Sequence, residues 1–213
     1  MLRLLVIIMK VLFLTSNKNK VIEANQTLCE LGYEVEQFLI EGVAPKIIEP
    51  QSSKIEIVSE CKIQQALELI SGTDFENHAL LVEDSGLFIK SLNDFPGVFS
   101  SYFFETIGNQ GILKLLENEE IRDAEYRACS ILYTNGKYFH ALGKCLGRIS
   151  NELKGSNGFG YDPIFIPNSG DGRTFGEMED YEKELKSHRG ESLRILYDKP
   201  VSYTHLRAHE TRH

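Results

Sequence analysis

The sequence predicts a mixed α/β fold, a long central sheet flanked by helices. Three observations predict it. Apolar runs of strand length alternate with helix-length stretches in the order β-α-β-α-ββ-α-ββ-β-α, the pattern of a sheet covered on its faces. Asn135-Gly136 joins two alternating runs over 124–134 and Lys137–Ile149, the strongest short hairpin signal. Apolar residues at 55, 58, 63, 66, 67 and 70 trace one helical stripe over Ile55–Ile70, stopped by Gly72.

The remaining elements follow in order. Residues 10–15 read as a buried strand, and Asn17 as the N-cap of a helix over 18–31 that Gly32 stops. A second strand covers 33–40, and a loop over 41–53 carries Pro45 and Pro50. Short strands over 79–83 and 87–90 flank a turn at Asp84-Ser85-Gly86. Residues 97–118 read as mostly helical, 161–166 as a strand, and 177–186 as a polar helix ending near Ser187-His188-Arg189. A last helix runs over 193–198.

Length and composition bound the chemistry. A chain of 213 residues is long enough for one α/β domain, or two lobes sharing a sheet, with a core that needs no staples. The net charge of −8 argues against a general nucleic-acid binder, yet admits a nucleotide whose charge Mg²⁺ already neutralises. Cys29, Cys61, Cys129 and Cys145 are scattered without a CxxC pair or ligand-spaced histidines, so buried reduced thiols in a cytoplasmic protein are expected. The apolar stretch over 1–14 is too short to span a bilayer and contains Lys10, so no membrane anchor is expected. Residues 1–8 read as an N-terminal extension. The His- and Arg-rich stretch over 201–213 breaks character like translated linker sequence, leaving 9–200 as the working domain.

Four places could carry chemistry. Thr15-Ser16-Asn17-Lys18-Asn19-Lys20 lies where a strand exits into a helix; backbone N–H groups, hydroxyls and lysines there suit a phosphate chain, although Walker A spacing is missing. Val82-Glu83-Asp84-Ser85-Gly86 places adjacent acids after an apolar strand. Alternation turns one of them to the cleft and the other to the reverse face. Glu49, from the proline-bearing loop, could add a second carboxylate for a hard cation such as Mg²⁺. Gly155-Ser156-Asn157-Gly158-Phe159-Gly160-Tyr161-Asp162-Pro163 is a flexible loop entering a stiff strand, suited to clamping a flat ring. Lys183 and Ser187-His188-Arg189 offer positive charge near a helix end. A capped helix, an Asx turn, a glycine turn and a charged surface helix account for each of these taken singly.

As an ordered set these segments are far more specific. Thr15-Ser16-Asn17-x-x-Lys20, Val82-Glu83-Asp84-Ser85-Gly86, Phe95-Pro96-Gly97, Gly158 to Pro163, Thr174-Phe175-Gly176-Glu177-Met178, and Glu182-Lys183 through Ser187-His188-Arg189 resemble the inosine triphosphate pyrophosphatase family in order and spacing. The resemblance covers residues 10–198 or so. It implies two lobes with an active-site cleft, a homodimer, and Mg²⁺-dependent conversion of a non-canonical purine nucleoside triphosphate to monophosphate and pyrophosphate. It further implies that Thr15, Ser16, Asn17, Lys20 and Lys183 hold the triphosphate and that Glu49 and Asp84 serve the metal, Asp84 also as the catalytic residue. Phe159 would stack on the base, Gly160, Tyr161 and Asp162 would line its pocket, and His188 and Arg189 would read the six-position oxygen. The chain departs from the family at Ser101, where a Lys or Arg is usual, and where the last helix meets Pro200. Two competitors stand beside it: a Maf-like pyrophosphatase of pyrimidine or modified nucleotides, against which Ser187-His188-Arg189 speaks, and a nucleotide-binding protein without catalysis, favoured by Ser101.

Overall fold

The computed structural model describes residues 9–198, so the expectations for 1–8 and 201–213 lie outside the described residues. Seven strands and five helices appear among the described residues: β1 Met9–Phe13, α1 Lys18–Cys29, β2 Tyr33–Gln37, α2 Ile55–Ile70, β3 Ala79–Ile89, β4 Phe95–Gly97, α3 Ser100–Leu115, β5 Asp123–Thr134, β6 Lys137–Ile149, β7 Phe165–Pro167, α4 Asp180–Glu184 and α5 His188–Asp198. The strands form one mixed sheet in the order β2-β1-β3-β5-β6-β7, with β4 paired to β3. β1 lies parallel to β2 and β3; the other pairings are antiparallel.

Side chains of the central strands alternate between two cores. On one face Val11, Phe13, Leu81 and Leu132 pack against Ala24 and Leu28 of α1 and Leu193 and Leu196 of α5. On the other, Leu12, Leu80, Val82 and Ile131 meet Ile63, Ala66 and Ile70 of α2. The apolar stripe predicted for α2 is the face that docks. A third cluster joins Leu87, Ile89 and Ile112 to Tyr161, Phe165 and Phe175.

Several elements differ from the sequence expectation for identifiable reasons. β3 is one strand, with no turn at 84–86, because β5 pairs with it unbroken from Leu80↔Tyr133 to Ile89↔Ala124. The 97–118 helix starts at Ser100, after a short strand that pairs Gly97 with Leu87, and kinks at Gly108 (φ 60°, ψ −168°). Strand pairing expected from 161 begins at Phe165, since Asp162–Ile164 curl into a single 3-10 turn. The polar helix shrinks to α4, and Ser187-His188-Arg189 do not close it: His188 and Arg189 open α5. Their charges therefore cannot be explained as complements to a helix C-terminus. Cys129 and Cys145 are buried as expected, whereas Cys29 is exposed.

α5 reaches the sheet through a close approach at Gly143 of β6. A Cβ there would lie 2.1 Å from the His188 carbonyl oxygen and 2.4 Å from the Ser192 nitrogen. Backbone cannot yield that distance cheaply. Gly143→Ala is expected to destabilise the protein by about 1–3 kcal/mol, read as a fall in the urea midpoint at constant slope.

Candidate active site

β1 ends at Phe13, having paired only with Ala79–Leu81 of β3, and β4 takes up the same edge at Leu87. Residues 82–86 of β3 thus have one edge that no strand covers, while β5 covers the other. A cavity of about 730 Å³ opens on this gap, lined among others by Glu83, Asp84, Ser85 and Gly86. That volume suits a small-molecule ligand. Alternation holds: Glu83 meets Arg189 of α5, and Asp84 meets Lys62 of α2 on the opposite face. The expectation that only one acid serves the cleft fails, because an uncovered strand edge is reached from both faces.

Every sequence-predicted site residue lines this cavity: Thr15, Ser16, Asn17, Lys20, Glu49, Asp84, Phe159, Gly160, Tyr161, Asp162, Lys183, His188 and Arg189. Asn17 caps α1 as expected, its side chain accepting from the Asn19 N–H (2.9 Å), while its own N–H donates to Thr15 Oγ1 (3.1 Å). Asn17 thus takes the Asn19 N–H on its side chain and the Lys20 N–H on its carbonyl (3.1 Å), and the positive end of the α1 dipole faces the cleft with Thr15, Ser16 and Lys20 on its wall. Gly155, Gly158 and Gly160 all have positive φ, which explains their spacing in the loop.

Two charged residues that the sequence reading passed over organise the site. Glu23 on α1 accepts from Lys183 Nζ (2.6 Å) and from Arg189. Lys62 on α2 bridges Asp84 (2.6 Å) and Glu49 (2.7 Å). Both carry a helical signal: Glu23 lies one turn after Lys20, and Lys62 interrupts the buried stripe beside Ile63.

The charges form a continuous chain. Asp162 accepts from Lys183 (2.6 Å) and from the Phe159 N–H (2.7 Å). Arg189 donates Nε to Glu83 Oε2 (2.6 Å), Nη2 to Glu83 Oε1 (3.3 Å) and to Ser85 Oγ (3.1 Å), and Nη1 to Glu23. Four of its five N–H donors are taken, so one on Nη1 is left for a ligand. Lys20 stands 3.7 Å from Glu83.

Burial and partners set the protonation states. Burial alone would raise Glu83 and Glu23, but Arg189, with Lys20 or Lys183, holds both below the usual carboxylate range. Asp84 goes the other way, burial outweighing Lys62 and raising it. Burial raises Asp162 against the pull of Lys183, and lowers Lys20 in spite of Glu83. His188 is pushed down to about 3 by burial and by Arg189, so it is neutral rather than the cation its position suggested. Its ring stacks on Tyr126 at 4.5 Å and 5°.

Phe159 is half-buried, with Lys183 Nζ 4.6 Å and the Arg189 guanidinium 5.7 Å from its ring centroid. Its loop is pinned from α3, where Tyr161 Oη donates to the Ser100 carbonyl (2.9 Å) and Asn109 Nδ2 donates to the Gly160 carbonyl (3.1 Å). Asp84 Oδ2 is buried without a hydrogen-bond partner, a carboxylate oxygen suited to a cation. No cluster of three or more His, Cys, Asp or Glu converges among the described residues, so any metal held here takes one or two carboxylates and completes its shell with water and phosphate oxygens. That donor set fits Mg²⁺.

The chain is similar to known proteins over most of its length. The model of the Ham1 family matches residues 11–199. A dITP/XTP pyrophosphatase of Pyrococcus horikoshii is 44% identical over 190 residues, spanning 89% of this chain and 96% of that protein. Another from Thermococcus kodakarensis is 42% identical over 186 residues, 87% of this chain and 94% of that one. Among solved structures, a HAM1 protein from Coxiella burnetii superposes with a TM-score of 0.71 at 28% identity, covering 89% of this chain and 97% of that chain. The Staphylococcus aureus Ham1 protein, at 24% identity and a TM-score of 0.71 over 88% of this chain and 96% of that chain, shares the fold. With the family matched over nearly all the described residues, and relatives above 40% identity over most of their length, the chain belongs to the Ham1 family.

Proposed function

We propose that the chain hydrolyses non-canonical purine nucleoside triphosphates (ITP, dITP and XTP) to the nucleoside monophosphate and pyrophosphate, with Mg²⁺. One observation carries this reading: a single cleft joins the α1 N-terminus, bearing Thr15, Ser16, Asn17 and Lys20, to the Phe159 ring across the uncovered edge of β3. A polyanion and a flat base therefore find their chemistry at distinct parts of one cavity. The printed names of the relatives, dITP/XTP pyrophosphatase, support the same substrate class.

The Thr15 and Ser16 hydroxyls and Lys20, at the positive end of the α1 dipole, take the phosphate chain, with Lys183 completing the positive field. Asp84 and Glu49 would hold Mg²⁺, whose charge neutralises the phosphates and acidifies a water molecule. Asp84, made more basic by burial, is the metal ligand or the group that orients the attacking water. Phe159 covers the base, and Tyr161 and Asp162 keep its loop in place.

Selectivity comes from donors. The N–H of neutral His188 and the remaining Nη1 N–H of Arg189 meet a six-keto oxygen, whereas adenine presents an amino group and leaves them unpaired. Sites of this kind reject the mismatched analogue by up to about 10⁴- to 10⁵-fold. Guanine shares the keto group, so the loop around Phe159 must exclude its two-amino group. We expect kcat/KM for ITP, dITP and XTP to exceed those for ATP and GTP by orders of magnitude; comparable values for ATP would remove the specificity claim but not the pyrophosphatase class.

Pyrophosphate release from ITP, measured with and without Mg²⁺, tests the reaction itself. Ser101 on the cavity wall, in place of a basic residue, favours the alternative of a nucleotide-binding protein without turnover, and no release at any Mg²⁺ concentration would speak for it. A homodimer and a cytoplasmic place of action belong to the same proposal, and light scattering of the purified chain decides the first.

A further inference from the structure

We propose that Asn109 is a positioning residue for base recognition: its side-chain amide fixes the Gly160–Tyr161 peptide so that the Phe159 loop is held ready for the purine. This rests on the pyrophosphatase reading above and adds to it a residue outside the cavity wall. The position is supplied by the kink in α3. Gly108 leaves helical geometry at φ 60°, ψ −168°, and Asn109 follows it with Nδ2 donating to the Gly160 carbonyl at 3.1 Å.

Gly160 needs such an anchor. It sits at φ +63°, and a Cβ built on it would meet nothing within 4 Å, so the residue has no packing of its own; the buried Tyr161 ring, with Oη on the Ser100 carbonyl, and the Asn109 amide tie its peptide to α3. Asp162 holds the Phe159 N–H from one side of this tip, at 2.7 Å. On the other side the Asn109 amide is the hydrogen bond that faces the Gly160 carbonyl. In a trans peptide the C=O and N–H point in opposite directions. Holding the Gly160 carbonyl against α3 therefore turns the Tyr161 N–H away from α3, and Gly160 and Tyr161 both line the cavity. Losing the anchor lets this peptide rotate and the loop sample orientations that do not receive a base.

A second observation separates this role from ordinary packing. The other amide atom, Asn109 Oδ1, is buried without a hydrogen-bond partner. An unpaired buried acceptor costs stability, and an apolar residue of similar size would not carry that cost. Asn109 is thus a poor choice for the fold alone and a useful one for the loop, the pattern expected where function opposes stability.

The test compares Asn109→Leu and Asn109→Asp with the unsubstituted protein. A single neutral hydrogen bond shifts such a population by about three- to tenfold. Asn109→Leu is expected to raise KM for ITP by that factor, with kcat within about twofold, while Tm is unchanged or higher. Hydrogen exchange of the peptide spanning residues 155–165 should quicken by a similar factor. Asn109→Asp sets a carboxylate against the Gly160 carbonyl, so its KM should rise further and recover toward that of the unsubstituted protein as pH falls and the acid becomes a donor. Unchanged KM and unchanged exchange in Asn109→Leu would overturn the proposal. A parallel loss of Tm and kcat would also overturn it, assigning Asn109 to the fold. If the unsubstituted protein neither cleaves nor binds ITP, the function reading fails, whereas the exchange comparison still decides whether Asn109 anchors the loop.

Discussion

Asp84→Asn is expected to lower kcat for ITP hydrolysis by about 10²-fold or more while leaving Tm at pH 7 unchanged or raised. The size is that of removing a positioned base or the carboxylate that holds a catalytic cation. The stability half follows from the sign of the shift at Asp84. Its folded proton affinity lies above the ordinary carboxylate value because burial outweighs Lys62. The stabilisation associated with the protonated form is complete below the ordinary value and is lost as pH rises through the folded one. Burial thus works against the charged form of Asp84 in the fold, and the more so the higher the pH. Asparagine keeps the shape without the charge, and Lys62 retains Glu49 at 2.7 Å. Thermal melts at pH 4 and pH 7 check the linkage: the variant should gain relative to the unsubstituted protein at the higher pH. Near-normal turnover by Asp84→Asn at saturating Mg²⁺ would show that the assignment of Asp84 is wrong.

The distance between sequence and structure is instructive at this same strand. Local pattern resolves each β3 residue: apolar up to Val82, then two acids, a serine and a glycine. A turn at 84–86 is the natural reading of that order. What overrides it is β5, whose twelve-residue run in the hairpin pairs straight through the acids. Long-range pairing is invisible to a window of a few residues, and it makes the acids strand residues on an uncovered edge instead of turn residues. Ser187-His188-Arg189 shows the same limit. Their charge and order were legible, but which helix they belonged to depended on α5 docking against Gly143. Glu23 and Lys62 escaped because a carboxylate or ammonium on a helix face has an ordinary solvent-exposed explanation. Only the assembled cleft shows that each bridges two opposite charges. The α2 stripe, the hairpin and the Asn17 cap needed no such context, being set by periodicity and turn chemistry within the segment itself.

Arg189→Met should bring the largest loss of stability, about 3–5 kcal/mol, or roughly 10 °C in Tm for a domain of this size. Arg189 is 2% exposed and holds two carboxylates, Glu83 through a two-point contact and Glu23 from α1. Removing it leaves Glu83 buried with Lys20 at 3.7 Å as its remaining cation, and leaves Glu23 with Lys183 alone. The loss measures the unpaired carboxylates more than any bond to arginine, so a second substitution should recover part of it. Adding Glu83→Gln to Arg189→Met is expected to restore more than half the lost stability, a coupling that a simple packing defect would not produce. Acid distinguishes the two causes again. In the unsubstituted protein the depressed Glu83 stabilises the fold above the ordinary carboxylate value and loses that contribution as pH falls toward its folded value. In Arg189→Met an unpaired Glu83 takes up a proton at higher pH, relieving its burial. The gap between the two proteins should accordingly be widest near pH 7 and narrow below about pH 4, the ordinary carboxylate range. Should the gap stay constant with pH, the penalty lies in the lost volume of the side chain.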